Sequence, residues 1–253
     1  QDWVKPQTLA EICRQKLDSL SQNTTIYIAK QKPKTLKIIK NILKNNKSKK
    51  IYASSFLVKK VKDYYVYKDN KNIIPIKSNY IHSEGLINNL GLAIKVAFDF
   101  GVSKKIITKT IPKIKFEGRL QYIAKGKLRK FLKPQEKLLI DGCHSMASGE
   151  NLYNYLKTLK EPIYGIWGMQ KNKLPEKFIK SFKSIFKKVI TIPIAKEPNS
   201  AKADDLKLLA KKQFPTESRK DIYAALKQLS SKEKKTIVVF GSLYLVGDVL
   251  SKN

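Results

Sequence analysis

KLLIDG, residues 137–142, decides the fold that this sequence predicts. Leu138, Leu139 and Ile140 form an unbroken apolar run that ends at Asp141 and Gly142. A strand with one solvated face would alternate apolar and polar residues, whereas a strand of a parallel sheet covered on both faces is apolar throughout. The stretch therefore predicts a strand inside a parallel α/β sheet.

The same pattern recurs to the end of the chain, with strands separated by helices. Strands are predicted at 161–168, 187–194 and 234–242, and helical stretches at 150–159, 173–186, within 201–213 and within 216–229, before a closing segment LYLVGDVL. Strands alternating with helices indicate an α/β domain. We expect residues 113–253 to be one Rossmann-like domain with a mainly parallel sheet of about five or six strands and helices on both faces, with the strands near 137–141, 163–167, 188–192 and 235–240 central.

Residues 1–112 have a different organisation and look like the end of another domain. Helices are predicted at 8–20, 32–46 and 84–102, and strands at 24–29, 49–55 and within 64–76, where the turn DNKN suggests a hairpin. The helix at 32–46 has an apolar stripe at helical spacing. Gly101 is well placed to end the helix at 84–102.

Composition excludes several classes of protein. No apolar run is long enough for a transmembrane helix, and the start has no signal-peptide pattern. The start also lacks a methionine, which predicts that the chain begins inside a longer product. Cys13 and Cys143 have no zinc or disulfide spacing, and His82 and His144 alone cannot build a zinc site, so a reducing cytoplasm is expected.

The net charge of +32 comes from 48 lysines and only four arginines. Clustered lysines would favour a nucleic-acid-binding protein, but these lysines are spread along nearly the whole chain. A bias in the composition of the source explains them better, with nonspecific electrostatic adsorption of nucleic acid as a consequence. A dedicated nucleic-acid function stays a minor alternative.

Arg119 differs from the surrounding lysines in its chemistry. It lies in EGRLQ, on the way into a predicted strand. A guanidinium grips a phosphate or carboxylate with a planar fork of donors, whereas a lysine is a point charge. Ligands of open α/β sheets bind outside the carboxyl ends of strands, which also directs attention to Asp141. Asp141 has the alternative interpretation of a turn or cap aspartate, and a Cys143–His144 nucleophile is not expected because neighbours on a strand point to opposite faces.

The order of several motifs resembles the C-terminal part of the folylpolyglutamate synthase/dihydrofolate synthase family of the Mur-ligase superfamily. The matching segments are TLAEICRQK (8–16), NLGLAIKVA (89–97), EGRLQ (117–121), DGCHSM (141–146), GMQKNKL (168–174) and FGSLYLVGDVL (240–250). They correspond to the family's TLEEIAxEK, NAATA, PGRLE, DGAHNP, GxxxDKD and TGSLYLVGEV patterns. Order and spacing agree over essentially all 253 residues, and the last run is the most specific match.

The resemblance implies an ATP-dependent ligase. Family members phosphorylate the carboxylate of dihydropteroate or a folate, and the amine of L-glutamate attacks the resulting acyl phosphate, with Mg2+ and cationic side chains stabilising the transferred group. By resemblance, Arg119, Asp141 and Asn89 contact ATP, and Lys16 is the lysine that the family carbamylates near the metal. An ordinary solvated helix lysine is the alternative for Lys16.

The departures from the family limit what this chain can do alone. No GxxxxGK[ST] phosphate loop occurs, and the family's PGR, DGAHN and lysine-Ala-Gly patterns are changed at Glu117, Ser145 and Leu17. Residues 1–112 are therefore interpreted as the remainder of the central ATPase domain, and 113–253 as the complete C-terminal domain. We expect the chain alone to be inactive, and whether a separate phosphate-loop-bearing half is its partner stays open at this point. A non-catalytic remnant or basic binding module that retains the fold is the alternative.

Overall fold

A computed structural model describes residues 8–61, 64–77 and 83–253. His82, named in the sequence analysis as unable to build a zinc site, lies outside these residues. The described residues divide into two compact units, one formed by residues 8–61, 64–77 and 84–114 and the other by residues 83 and 115–253. Within the described residues, no helix is both long and apolar enough to cross a membrane.

The first unit combines a short parallel sheet, an antiparallel sheet and helices. Its elements are α1 (Leu9–Leu17), β1 (Thr25–Ile28), α2 (Pro33–Ile42), β2 (Lys49–Tyr52), β3 (Phe56–Val61), β4 (Tyr64–Asp69), β5 (Ile73–Ile76), α3 (Glu84–Asp99) and α4 (Lys104–Thr110). Strands β1 and β2 pair in parallel, and β3, β4 and β5 form an antiparallel sheet in that order. The hairpin predicted at the DNKN turn is therefore present between β4 and β5.

Local sequence explains where the elements of this unit begin and end. Thr8 caps α1 by accepting a hydrogen bond from the Glu11 backbone N–H, and Pro33 occupies the first turn of α2, where a missing N–H costs nothing. Gly101 has φ +81° directly after α3, as the predicted stop requires. The apolar stripe of α2 packs through Leu36 and Ile39 on the buried side chains of β1.

The second unit is an α/β sheet with helices between its strands. Its elements are β6 (Gln121–Tyr122), β7 (Lys137–Asp141), α5 (Met146–Leu156), β8 (Ile163–Trp167), α6 (Pro175–Lys180), β9 (Lys188–Thr191), α7 (Ala203–Ala210), β10 (Thr216–Ser218), α8 (Ile222–Leu229), β11 (Thr236–Phe240) and α9 (Leu243–Ser251). The strand order is β10-β9-β8-β11-β7-β6. Every neighbouring pair is parallel except β6 with β7. The predicted fold class and the four central strands are confirmed.

Both faces of this sheet are buried, which explains its apolar strands. Leu139 and Val238 belong to the apolar cluster that contains side chains of α5, α6 and α7. Their chain neighbours Ile140 and Val239 belong to the cluster that contains side chains of α8 and α9. Successive residues of a strand point to opposite faces, so each position needs an apolar side chain.

Several boundaries differ from the sequence prediction. The helix predicted at 150–159 already begins at Met146, because Ser145 forms a capping box with Ser148. The helix predicted at 173–186 ends at Lys180, and Lys183 has φ +47°. Strand β10 begins the stretch interpreted as helical at 216–229, and β3 was not predicted. A three-residue strand such as β10 is decided by pairing with its neighbour β9 more than by its own residues.

A buried ion pair lies at the amino ends of β7 and β11. The side chains of Glu136 and Lys235 are 0% and 3% exposed, with Nζ 3.5 Å from Oε1. Lys235 also donates to the carbonyl oxygen of Leu229, and Glu136 accepts from the backbone N–H of Lys133 and of Ser231. Two buried charges are tolerated here because each has several polar partners.

Replacement of Glu136 by Ala should lower the free energy of unfolding by about 3–5 kcal/mol, because Lys235 would keep a buried charge without its counter-ion. Urea unfolding measures the change. Glu233→Ala is the matched control: its carboxylate is 3.7 Å from the same Nζ but its side chain is 44% exposed. The control should lower the free energy of unfolding by less than about 1 kcal/mol. Equal losses in the two variants would contradict the importance of burial.

Glu161 makes the stability of the sheet sensitive to acid. Its Oε1 accepts from Lys137 Nζ at 2.7 Å and from Thr236 Oγ1 at 2.9 Å. These hydrogen bonds lower the pKa of Glu161 from 4.5 to about 2, against an opposing effect of burial. A depressed carboxyl pKa stabilises the fold above the unfolded-state value and loses that contribution as pH falls. Between pH 4.5 and 2 the stability of Glu161→Gln should therefore decline less steeply than that of the parent, and a parallel decline would contradict this.

Candidate functional site

The carboxyl ends of β7, β8 and β11 meet at one edge of the second sheet, because these strands are parallel. Helix α5 starts beside the end of β7 with Ser145 as its cap, and α9 starts directly after β11 with Ser242 as its cap. This edge, which we call the carboxyl edge, is where open α/β sheets place ligands.

Asp141 connects two backbone segments at the carboxyl edge through its side chain. Its side chain is buried, its Oδ2 accepts from the backbone N–H of Leu120, and its Oδ1 accepts from the backbone N–H of Cys143, both at 2.9 Å. Burial raises the pKa of Asp141, while these two hydrogen bonds and the nearby Arg119 guanidinium oppose the rise. The carboxylate therefore fixes the backbone on both sides of the edge.

The segment that Asp141 holds, residues 116–121, has an unusual backbone. The Arg119 N–H donates to the carbonyl oxygen of Phe116, Gly118 has φ +69°, and Leu120 has φ +44°. A non-glycine residue rarely adopts positive φ, and it does so here where its N–H is bound by Asp141 and its side chain is buried. The strained turn leaves Arg119 half-buried at the edge.

Two glycines allow this turn to lie close to α9. A Cβ at Gly118 would lie 2.7 Å from Val246 Cγ1, and a Cβ at Gly142 would lie 2.3 Å from Leu243 Cδ2 and 3.2 Å from the Leu243 Cα. The backbones are also joined directly, because the Gly142 N–H donates to the Gly118 carbonyl oxygen at 2.8 Å. A side chain at Gly118 would push the Arg119 turn away from α9, and a side chain at Gly142 would push the segment after β7 away from α9.

Arg119 differs from the other arginines in its contacts. Arg14 and Arg219 form ion pairs with Glu11 and Glu217, and Arg129 donates to two backbone carbonyl oxygens. Within the described part of the chain, the Arg119 guanidinium has neither a hydrogen-bond acceptor nor a carboxylate within salt-bridge distance. It still lies near enough to Asp141 to lower the pKa of that carboxyl. Its donors are available to an anion.

Cys143 and His144 have separate environments. The Cys143 side chain is fully buried, and burial together with Asp141 raises the pKa of its thiol well above the usual value. It cannot supply an exposed thiolate. The half-buried His144 places Nδ1 3.0 Å from the carbonyl oxygen of Gly142. A hydrogen on Nδ1 would be donated there, which leaves Nε2 as an acceptor.

The sequence analysis missed Gln121, whose Oε1 accepts from the Gly118 N–H at 2.8 Å and braces the turn. Gln121 lies in the EGRLQ segment, but the sequence gives no sign that its amide would bind the glycine three positions earlier. Such a contact depends on the strained backbone between them.

The structure brings Arg119 and Asp141 together but places the other two predicted residues in the first unit. Lys16 is exposed in α1, and Asn89 is exposed in α3. Over residues 8–61, 64–77 and 83–253, no group of three His, Cys, Asp or Glu side chains could hold a metal ion.

Comparison with known protein families identifies the second unit. Residues 125–252 match the model of the dihydrofolate synthetase C-terminal domain, which covers half of the chain. The chain belongs to this family. No match is found among curated protein sequences.

Solved structures extend the likeness over both units of this dihydrofolate synthetase family member. Folylpolyglutamate synthase from Thermotoga maritima is 25% identical with a TM-score of 0.75, over 98% of this chain and 58% of that protein. Escherichia coli FolC, solved with DHPP and ADP, is 17% identical with a TM-score of 0.81, over 99% of this chain and 57% of that protein. Mycobacterium tuberculosis folylpolyglutamate synthase, complexed with ADP and AMPPCP, is 17% identical with a TM-score of 0.79, over 99% of this chain and 60% of that protein. The chain thus spans less than two thirds of these relatives, and the predicted family resemblance is confirmed.

Replacement of Asp141 by Ala should lower the free energy of unfolding by about 1–3 kcal/mol, because two buried backbone N–H groups would lose their acceptor. Urea unfolding of both proteins measures the change. Asp205→Ala, at an exposed position in the first turn of α7, is the control and should cost no more than about 1 kcal/mol, the upper value for a charge near a helix N-terminus. If Asp141→Ala lowered the free energy of unfolding no more than this control, the hydrogen bonds of the carboxylate to Leu120 and Cys143 would not stabilise the carboxyl edge as described.

Proposed function

We propose that this chain is part of an ATP-dependent ligase that joins L-glutamate to a folate or to dihydropteroate. Arg119 carries the proposal: a half-buried guanidinium, with no partner among the described residues, is fixed at the carboxyl edge of a domain of the dihydrofolate synthetase family. Solved relatives with ADP or AMPPCP support a nucleotide as the ligand.

The surroundings of Arg119 fit a phosphate group. A guanidinium can donate two parallel hydrogen bonds to phosphate oxygens, and it stays charged at any physiological pH. Gly118 and Gly142 let the backbone beside Arg119 pack closely against α9, which holds the turn at the carboxyl edge. In this class of ligase, ATP supplies the phosphoryl group that activates the carboxylate of the acceptor. Arg119 would hold and orient that group in the closed enzyme.

Asp141 acts on the nucleotide chiefly through Arg119 in this proposal. One oxygen of its carboxylate holds Leu120 and the other holds Cys143. Because Leu120 follows Arg119, the hydrogen bond to Leu120 sets the position of the arginine backbone. The remaining lone pairs of the carboxylate leave room for a direct contact with the nucleotide as well.

The first unit is proposed to be the remainder of the central ATPase domain, with residues 1–112 assigned to it and 113–253 to the C-terminal domain. Asn89 would contact the nucleotide from this unit. Lys16 would reach the metal only as a carbamate, with Mg2+ ligands and the phosphate loop contributed by a segment beyond these 253 residues. The phosphate loop is a requirement because its backbone N–H groups and lysine bind the β- and γ-phosphates.

The test is glutamate incorporation into dihydropteroate and into a folate. The chain alone should show no turnover, because losing even one oxyanion donor costs about a hundred- to a thousandfold in rate. A phosphate-loop half expressed from the coding region immediately upstream, in frame or separately, should restore activity. Arg119→Lys should then reduce the rate by about a hundredfold, since the charge stays and the fork is lost.

Arg129→Lys is the matched control, because Arg129 is in the same unit but binds backbone carbonyl oxygens of Lys133 and Glu136 at the opposite end of β7. It should leave turnover per folded molecule unchanged. Turnover by the chain alone would refute the proposed dependence on a second segment. Absence of turnover with the phosphate-loop half present would favour a non-catalytic remnant, and an Arg119→Lys enzyme as active as the parent would remove Arg119 from the site.

A further inference from the structure

The antiparallel sheet of the first unit, formed by β3, β4 and β5, has two different faces. Successive residues of a strand point to opposite faces, and cross-strand partners share a face. One face carries the buried side chains of Phe56, Tyr67 and Ile74, and it packs against α3, where a Cβ at Gly91 would lie 2.6 Å from Val58 Cγ2. The other face points away from α3, and we call it the outer sheet face.

The outer sheet face is largely apolar. Its side chains are those of Leu57, Lys59, Val61, Tyr64, Val66, Lys68, Ile73 and Pro75. The cross-strand register places Val61 beside Tyr64, and Val66 beside Pro75. Val61, Tyr64 and Ile73 are 40%, 42% and 54% exposed. Single exposed apolar residues are ordinary on a protein surface, whereas a contiguous group of them indicates a place where another molecule packs.

A groove of about 470 Å³ lies on the outer sheet face. Its apolar lining extends from Leu57 of β3 to Ile73 of β5, and Ser54, Ser55 and Asn70 add small polar groups. Such a recess receives the side chains of a docked protein segment. Insertion into a lipid bilayer instead needs an apolar face that projects into the acyl chains. The shape therefore favours a protein partner over a membrane.

The charge of this face selects the chemistry of the partner. Within the described residues, neither Lys59 nor Lys68 has a carboxylate within salt-bridge distance. Asp69 lines the groove, but its carboxylate already accepts from the Tyr67 hydroxyl and from the Asn72 backbone N–H, both at 2.7 Å. Two copies related by a two-fold axis would bring this cationic face against itself, and each chain carries a net charge of +32. A partner with carboxylates is therefore favoured over a second copy.

A helix suits this face better than another kind of segment. It makes its backbone hydrogen bonds internally, so a single helix can dock without a sheet of its own. Apolar residues at i, i+3, i+4 and i+7 form one stripe and leave the flanks of the helix for charged residues. The stems of Lys59 and Lys68 can lie along the apolar surface while their ammonium groups reach carboxylates on those flanks.

We propose that the outer sheet face binds an acidic amphipathic helix of a partner protein. The apolar stripe of that helix lies in the groove, and its carboxylates pair with Lys59 and Lys68. The proposal stands on the first unit alone and does not depend on Arg119 or on ligase activity.

Fluorescence anisotropy tests this with two labelled peptides of about 18 residues that contain the same leucines, alanines and glutamates. In the first peptide the leucines form a helical stripe, and in the second the same residues are ordered so that no stripe forms. Both peptides have the same charge, so a difference in affinity is not due to the general attraction of acidic peptides to a chain of net charge +32. The first peptide should bind the purified chain at least about tenfold more tightly than the second.

One pair of double variants tests the apolar side chains. Val61→Thr/Ile73→Thr makes two exposed apolar residues of the outer sheet face polar and keeps them β-branched, as strands favour. Ile106→Thr/Leu208→Thr is the control at exposed apolar residues of α4 and α7. The first variant should weaken binding of the striped peptide by at least about tenfold, and the control should leave it unchanged.

A second pair of double variants tests the charges. Lys59→Glu/Lys68→Glu reverses the two charges of the outer sheet face, and Lys37→Glu/Lys202→Glu makes the same change in net charge at exposed lysines of other elements. The first variant should weaken binding of the striped peptide at least about tenfold more than the control does. Thermal unfolding checks that all four variants stay folded.

Equal affinity of the two peptides for the parent, or equal effects of a variant and its control, would overturn the proposal. A dimer of the parent in sedimentation that only Val61→Thr/Ile73→Thr abolishes, with no preference between the peptides, would assign the face to a second copy instead. Binding to phosphatidylcholine–phosphatidylserine vesicles that the same variant abolishes, again with no preference between the peptides, would assign it to a membrane.

Discussion

The carboxylate of Asp141 is the constraint on which the candidate site depends. It accepts from the backbone on both sides of the carboxyl edge, at Leu120 and at Cys143. Without it, Leu120 would lose the hydrogen bond that accompanies its positive φ, and the turn that carries Arg119 would lose its main attachment to β7. A carboxylate can hold two N–H donors at once and is buried here because both of its oxygens have partners. The glycines beside α9 then allow the close approach that this attachment needs.

The charge of the chain and the chemistry of its site have different origins. Most of the 48 lysines need no individual explanation, since exposed ammonium groups stay solvated wherever they occur. The arginines can be distinguished by their contacts: Arg14, Arg129 and Arg219 have structural partners, and the guanidinium of Arg119 has none among the described residues. This contrast is the basis of the proposal that Arg119 binds a ligand, although nothing in the net charge singles it out.

The carboxyl edge of the second unit has one group of donors that an anion could use. The guanidinium of Arg119 has no acceptor among the described residues, and its donors suit phosphate oxygens, which accept hydrogen bonds. His144 adds no donor through Nε2 when its Nδ1 donates to the carbonyl oxygen of Gly142.

The sequence by itself determined the fold class and which four strands are central, whereas their order in the sheet came from the structure. Apolar runs such as 137–142 are dictated by burial on both faces, and that requirement is local to each strand. The sequence also singled out Arg119, through the chemistry of its guanidinium, and Asp141, through its position at the end of a strand. Only the tertiary structure decided what Asp141 does, because its partners at Leu120 and Cys143 are bound through backbone N–H groups that any residue carries. The pairing of β10 with β9 has the same explanation, because the two strands are distant in sequence and neither segment records which neighbour it will meet. The hairpin of β3 with β4 and the hydrogen bond between Gln121 and Gly118 are local in sequence, but each depends on a backbone conformation that the residue types alone did not reveal.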